Sequence, residues 1–406
     1  MKIVFIGPFG LQPKATMSIR AAPLAKALAG RGHTVTVLIP PWDDPERSGQ
    51  VWAEDGVQIV NVVLPGGLLR LPLLFHIVLT RTLVAQALAL QPDVIHLFKP
   101  KAYAGLVHLV MWWLRRLTVL AVRLVVDEDD WEQAWNEMSA YSPWQRKFFV
   151  WQERWGLRHA DALTVASREL ERLVTRNFGR NSADIFYVPN GYHTSPTAVE
   201  PGQTGQPGND NQTRPNPPVD DNAPTILLYT RFVEFRLDRI VSLVGLVAGH
   251  MPQARWLIVG AGLKGEEKSL AAKLAQARLS EYVHFAGWVP GDQLAAYFAA
   301  ADVAVYPYDN TLLNRTKCSV KLTSLLAAGL PVVADAVGQN CEYIESGVSG
   351  MLVPAENDPA FAAAVVKLLQ QADMRERFGQ VAAHYVQEKF RWSSLAQIAE
   401  KAYQQS

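Results

Sequence analysis

Residues 2–38 read KIVFIGPFGLQPKATMSIRAAPLAKALAGRGHTVTVL, and the fold turns on how that run is parsed. Lys2–Ile6 is apolar enough for a buried strand and too short for the apolar core of a signal peptide. A Gly-Pro turn follows it. Met17–Gly30 carries apolar residues at helical spacing, Gly32 stands where a C-cap glycine belongs, and Thr34–Ile39 is apolar and β-branched again. Strand, helix, strand in succession predicts a parallel sheet with helices on both faces.

The same alternation runs outward from this unit. Val57–Val63, Val94–Leu97, Arg123–Val126, Ala162–Ala166 and Ile185–Val188 read as further strands of one domain, residues 1–194. Ser195–Ala223, SPTAVEPGQTGQPGNDNQTRPNPPVDDNA, has almost no large apolar residue and reads as a flexible linker. Strands at Thr225–Tyr229, Arg255–Val259, Val283–Phe285, Val303–Tyr306, Pro331–Ala334 and Met351–Val353 then alternate with helices to make a second domain, residues 224–390. Residues 391–406 read as a last helix able to pack back on the first domain. Two doubly wound α/β domains place a ligand site in the cleft between the carboxyl ends of their strands.

Composition agrees with a globular chain of two or three domains. Of 406 residues, 49 % are hydrophobic and 19 % charged, which excludes a disordered chain. The 39 Lys and Arg nearly cancel the 38 Asp and Glu, which argues against a nucleic-acid binder built on overall charge. Cys318 and Cys341 are the only cysteines, so there is no disulfide framework and no Cys-x-x-Cys metal pair. The longest apolar stretch, Leu106–Val126, is broken by Arg115, Arg116 and Arg123. Each Arg near mid-membrane would cost about 2.5–3.5 kcal/mol, so a cytoplasmic chain is expected.

Several residues sit where strand ends should open into the cleft. Gly7–Gly10, and Gly260 with Gly262, are glycine turns ahead of helices, where free backbone N–H groups suit a phosphate; tight turns of no further use look the same. Arg231 and Arg236 follow the second domain's first strand and can neutralise a leaving diphosphate, or else form a solvated face with Glu234 and Asp238. Arg315, Lys317 and Lys321 make the stretch Asp309–Lys321 cationic, with Ser319 as N-cap of the helix Val320–Ala328. Asp127, Glu128, Asp129, Asp130 and Glu132 form an acidic run able to hold a metal, supply a base or merely cap a helix. His96 and Lys99 follow another strand and are expected on the same rim. Between Pro65 and Arg123 seven basic residues interleave with Trp112, Trp113 and other large apolar side chains, which suits either an anionic membrane surface or ordinary packing.

With these pieces in place, LAKALAGRGHTVTVL, PDVIHLF, VPNG, TRFVE, WLIVGAG, VHFAGWVP, LAAYFAAADVAVYP, LLAAGLPVVA and GVSGMLVP, in that order, resemble the family-4 retaining glycosyltransferases of GT-B fold. The resemblance implies transfer of a hexose from a nucleotide sugar, a UDP- or GDP-sugar, to a hydroxyl on a glycan, a lipid or a small molecule, with retention, without a metal or other cofactor. It puts the phosphate-binding cations on Arg231 and Arg236, the donor-facing glycine on Gly10, and base-contacting backbone on Trp288 and Val289. It puts the diphosphate on the amides of Lys317, Cys318, Ser319 and Val320. The family's two glutamates fall on Thr316 and Ser324, neither a carboxylate, and its histidine beside the reacting sugar falls on Asp129. A nucleotide-sugar epimerase of the same fold and a non-catalytic glycosyltransferase-like subunit are the competing readings. A peripheral location on the inner membrane face would bring a lipid-linked acceptor within reach.

Overall fold

β1 (Lys2–Ile6) lies near the middle of an eight-stranded sheet because both of its faces are apolar: Ile3 and Phe5 point to one side, Val4 and Ile6 to the other. The computed structural model describes residues 1–11, 16–67, 71–118, 120–138, 141–192 and 223–404. The linker expected at 195–223 lies, but for Ala223, outside the described residues. In the first domain β2 (Thr34–Ile39), β3 (Val51–Glu54), β4 (Val57–Asn61), β5 (Val94–Phe98), β6 (Arg123–Glu128), β7 (Ala162–Val165) and β8 (Ile185–Tyr187) join β1 in the order β3-β4-β2-β1-β5-β6-β7-β8. The helices are α1 (Ala22–Ala29), α2 (Pro72–Ala89), α3 (Ala102–Leu117), α4 (Glu132–Met138), α5 (Pro143–His159) and α6 (Arg168–Phe178).

The second domain carries a six-stranded parallel sheet ordered β11-β10-β9-β12-β13-β14. Its strands are β9 (Thr225–Tyr229), β10 (Arg255–Val259), β11 (Val283–Gly287), β12 (Val303–Tyr306), β13 (Val332–Asp335) and β14 (Met351–Val353). Its helices are α7 (Leu237–His250), α8 (Glu266–Gln276), α9 (Leu294–Ala299), α10 (Leu312–Thr316), α11 (Val320–Ala327), α12 (Asn340–Tyr343), α13 (Asp358–Gln370) and α14 (Ala372–Lys389). Alternate strand residues again serve opposite cores, Ile226 and Leu228 against α7 and α13, Leu227 and Tyr229 against α11 and α14. The last helix, α15 (Trp392–Gln404), returns to the first domain, where Ala396, Ala399, Ala402 and Tyr403 pack with α1 and the face carrying Ile3 and Phe5.

The structure corrects the sequence reading at three places. The first sheet is not wholly parallel: β3 runs antiparallel to β4 at the edge. Val51–Glu54 is four residues long and mostly exposed, and the Asp55-Gly56 turn, with both φ positive, marks the hairpin. The helix expected from Met17 begins as a π-helical segment, Thr16–Ala21, before α1. β6 extends two residues beyond Val126, which draws Asp127 and Glu128 into the sheet and out of the acidic loop.

α14 meets the end of α11 backbone to backbone, since a Cβ placed on Gly379 would lie 2.0 Å from the Gly329 carbonyl oxygen. Gly379→Ala should therefore destabilise the chain by about 1–3 kcal/mol, read as a lower urea midpoint, because neither backbone can move without disturbing its sheet.

Candidate active site

The cleft lies where the two sheets' carboxyl ends meet, and its cavity of about 220 Å³ is lined from both domains. The second domain contributes the turn from α10 into α11. Thr311 caps α10 by accepting the Asn314 N–H at 3.2 Å, and the chain then passes through Lys317, Cys318 and Ser319. Ser319 stands at the N-cap of α11, yet its hydroxyl is bonded to the Tyr306 hydroxyl and makes no cap. α11 therefore begins without a side-chain cap from its N-cap residue, its positive end facing the cleft.

Cations surround that opening. Lys317 Nζ lies 2.5 Å from a Glu234 carboxylate oxygen, and Lys321 Nζ lies 5.4 Å from the centre of the Tyr229 ring. Burial opposes the charge on Glu234, but Lys317 and Lys321 hold its carboxyl down to about 2. Arg231 lines the cleft and has no hydrogen bond or ion pair among the described residues, so its guanidinium is available to a ligand.

From the first domain comes Arg20, which is 1 % exposed. It grips Asp127 through Nε and Nη2, both at 2.6 Å, and donates to the Val188 carbonyl at 2.8 Å and to Asn190 Oδ1 at 3.1 Å. Beside it, Asp129 accepts from the Thr16 hydroxyl at 3.3 Å and pairs with Lys99 at 3.1 Å. Lys99 also reaches Asp130 at 3.2 Å and Glu132 at 3.1 Å, while Lys101 pairs with Glu132 at 2.5 Å. Burial, against the pull of Lys99, lifts Asp129 above its ordinary value and Asp130 to about 6. Glu132 goes the other way, held at about 2 by Lys99 and Lys101 despite burial. Among the described residues no group of three or more His, Cys, Asp or Glu side chains is arranged to hold a metal ion.

The structure thus brings Arg231, Asp129, Lys317, Cys318, Ser319 and Val320 together in the cleft. Cys318 is a neutral thiol there, its ionisation pushed up to about 12 by burial. Other expectations are corrected. Arg236 does not line the cavity: its side chain is 70 % exposed and leans on Asp309 at 3.2 Å, because that carboxylate also takes the Arg236 amide. The Gly10 amide is spent on Asp43 Oδ1 at 2.8 Å. Gly260 donates to the Gly287 carbonyl at 2.7 Å and is glycine because a Cβ would sit 1.9 Å from the Thr230 oxygen. The Gly262 amide is taken by Glu267 at 2.9 Å. Neither glycine turn offers those amides to a phosphate.

Thr316 and Ser324 are buried with their hydroxyls turned back on their own helices, Thr316 to Leu312 and Leu313 and Ser324 to Val320. Neither lines the cavity. Trp288 is exposed after β11, and the Val289 side chain is packed in the core. His96 is not on the rim but sealed inside β5, between Tyr403 at 2.8 Å and Thr164 at 3.0 Å. Sequence reasoning missed Arg20 and Asn190. Arg20 looks like any cation on an amphipathic helix, and its partner Asp127 lies far along the chain; the VPNG stretch holding Asn190 was the available signal.

Comparison with known proteins agrees with the fold. Residues 16–191 match the family model "Glycosyl transferase 4-like domain", and residues 223–371 match "Glycosyl transferases group 1". The chain is 26 % identical to a phosphatidyl-myo-inositol mannosyltransferase of Mycobacterium leprae, over 100 % of this chain and 96 % of that protein. It is 22 % identical to a GDP-mannose-dependent alpha-(1-6)-phosphatidylinositol monomannoside mannosyltransferase of Mycobacterium tuberculosis, over 92 % and 90 % of the two chains. Among solved structures, a sucrose-phosphate synthase from Thermosynechococcus elongatus superposes with a TM-score of 0.69 at 22 % identity, covering 99 % of this chain and 98 % of that one. The Anabaena HepE protein in complex with UDP-glucose superposes with a TM-score of 0.64 at 18 % identity, covering 98 % of each chain.

One group behind the cleft makes stability depend on pH. Burial and the nearby Glu132 push the Glu153 carboxyl from 4.5 up to about 8. The folded chain therefore keeps a proton that the unfolded chain releases, so this contribution is full below about pH 4.5 and is lost as pH rises toward 8. Urea unfolding at pH 5 and pH 8 should show a shallower loss in Glu153→Gln than in the unaltered chain.

Proposed function

The chain belongs to the group 1 glycosyltransferases of GT-B fold, and we propose that it transfers a hexosyl unit from a UDP- or GDP-sugar to a lipid-linked, glycan or small-molecule hydroxyl with retention and without a metal. The observation that supports this most is the N-terminus of α11, uncapped by Ser319, beside an Arg231 that has no hydrogen bond or ion pair among the described residues. As the bond from the anomeric carbon to the diphosphate breaks, negative charge grows on the phosphate oxygens. Arg231, Lys317 and the α11 amides are placed to receive it, and such preorganised donors act most strongly where charge develops. Positive charge grows on the sugar ring at the same time. Asp129, on the facing wall, would steady it or orient the acceptor hydroxyl, which attacks from the face the diphosphate leaves and passes its proton to the departing phosphate oxygen.

The relatives that act on phosphatidylinositol substrates favour a lipid-linked acceptor, and the first domain has a surface suited to one. Rings run without a break from Phe148 through Trp151, Trp155 and Trp112 to Trp113, with successive centroids 5.8, 6.4, 5.5 and 5.0 Å apart. Trp144, Trp151 and Trp113 are exposed, as are Leu73 and Ile77 on the neighbouring α2. Arg116, Lys147 and Arg154 stand among them, Arg116 over the Trp112 ring at 3.9 Å. Aromatic and aliphatic side chains rimmed by cations suit the interface of an anionic membrane. No helix among the described residues is long and apolar enough to cross one.

Two measurements test this reading. Arg231→Ala should lower kcat/KM for the nucleotide sugar by roughly 10²–10³ while changing stability by less than about 0.5 kcal/mol, since no described residue bonds to that side chain. Trp144→Ala combined with Trp151→Ala should weaken co-sedimentation with phosphatidylglycerol vesicles by about tenfold or more, each ring contributing roughly 1.5–3 kcal/mol on full burial.

A further inference from the structure

We infer that Asn190 is a positioning residue for the donor diphosphate: from the end of the first domain it sets the orientation of the peptide that opens α11. All four of its polar groups are committed. The peptide N–H donates to Cys318 Sγ at 3.1 Å, the side-chain Nδ2 donates to the Cys318 carbonyl at 3.0 Å, Oδ1 accepts from Arg20 at 3.1 Å, and its carbonyl accepts from the Tyr343 hydroxyl at 3.0 Å. Three of these bonds cross to the second domain, and two of them converge on one residue, Cys318.

The consequence follows from peptide geometry. A trans peptide is planar, with C=O and the next N–H pointing in opposite directions. Drawing the Cys318 carbonyl toward Asn190 therefore turns the Ser319 N–H away from Asn190, and fixes it at the N-cap of α11, whose amides have no side-chain cap. Ser319 cannot take over this work itself, because its hydroxyl is engaged with Tyr306. Arg20 holds the other end, so the same side chain that aims the diphosphate amide is anchored to the buried Arg20–Asp127 pair of the first domain. Asn190, 6 % exposed, thus joins the two walls of the cleft, alongside bonds from Ser167 to the Thr316 carbonyl at 2.9 Å and from Gln339 to the Ala166 carbonyl at 2.6 Å.

This inference rests on the diphosphate reading of α11, and the test separates the two. Calorimetry with UDP and with GDP is run on the full chain, on Asn190→Ala and on Asn190→Asp, which keeps an acceptor for Arg20 but loses the donor to the Cys318 carbonyl. The unaltered chain should bind one of the nucleotides. Both variants should bind it about tenfold more weakly, the scale of one lost hydrogen bond of about 1.5 kcal/mol, at unchanged stoichiometry. A merely structural role would instead leave the Kd of the folded fraction alone and lower the stoichiometry, and that result overturns the proposal, as does an unchanged Kd. A full-strength Kd in Asn190→Asp alone would assign the effect to Arg20 and overturn it too. Failure of the unaltered chain to bind either nucleotide would remove the diphosphate reading itself, a different failure from any seen only in the variants.

Discussion

A guanidinium buried to 1 % exposure is costly, and Arg20 is tolerated only because Asp127 meets it with two bonds of 2.6 Å. Much of the first domain is arranged around that pair. Thr164 on β7 bonds to the same Asp127 carboxylate at 2.5 Å, His96 on β5 bonds to Thr164 at 3.0 Å, and Tyr403 on α15 bonds to His96 at 2.8 Å. One unbroken polar chain thus runs from the cleft through three strands to the C-terminal helix. Burial and the Arg20 charge hold His96 well below its ordinary value, so the ring is neutral and passes a hydrogen bond rather than a charge. Removing either end of the ion pair would leave an unmatched charge in the core, which typically costs 3–5 kcal/mol. That cost makes the position of Arg20, and of Asn190 beyond it, insensitive to small disturbances.

The two walls of the cleft carry different electrostatics. The second domain offers a helix N-terminus with Arg231 and two lysines, an environment for a departing anion. The first domain offers carboxylates whose charge is divided by Lys99 and Lys101: Glu132 is held ionised, whereas Glu128 is pushed upward by burial and Glu153, and Glu153 by burial and Glu132. Among the described residues Glu128 has no hydrogen-bond partner on either carboxylate oxygen, in keeping with a buried carboxyl that is not paired as an anion. Asp129 and Asp130 lie at the boundary, both tied to Lys99 and both lining the cavity.

Much of this was legible in the chain. Nearly all the strands and long helices were readable because both sheets are buried on two faces, which writes them as apolar runs spaced by amphipathic helices. β3 escaped because it is four residues long and mostly exposed at the sheet edge. The cationic stretch before α11 was readable as an anion site, and the order of the second domain's motifs gave the family. Arg236 was misplaced because spacing along a strand end does not say which side of the following turn a side chain takes; here Asp309 decides it.

By itself the sequence determined two doubly wound domains, a cleft between them and a set of glycine turns and helix starts that could each receive a phosphate. Only the tertiary structure decided which of these is open. The Gly10 amide is occupied by Asp43 and the Gly262 amide by Glu267, whereas α11 starts without a cap from Ser319 because Tyr306 draws that hydroxyl away. None of the three local sequences says which partner folding will bring. What differs is a partner brought in by folding, as Asp127 is brought to Arg20 across 107 residues of chain, and hydrogen-bond competition among neighbours in space leaves no periodic trace in the order of residues.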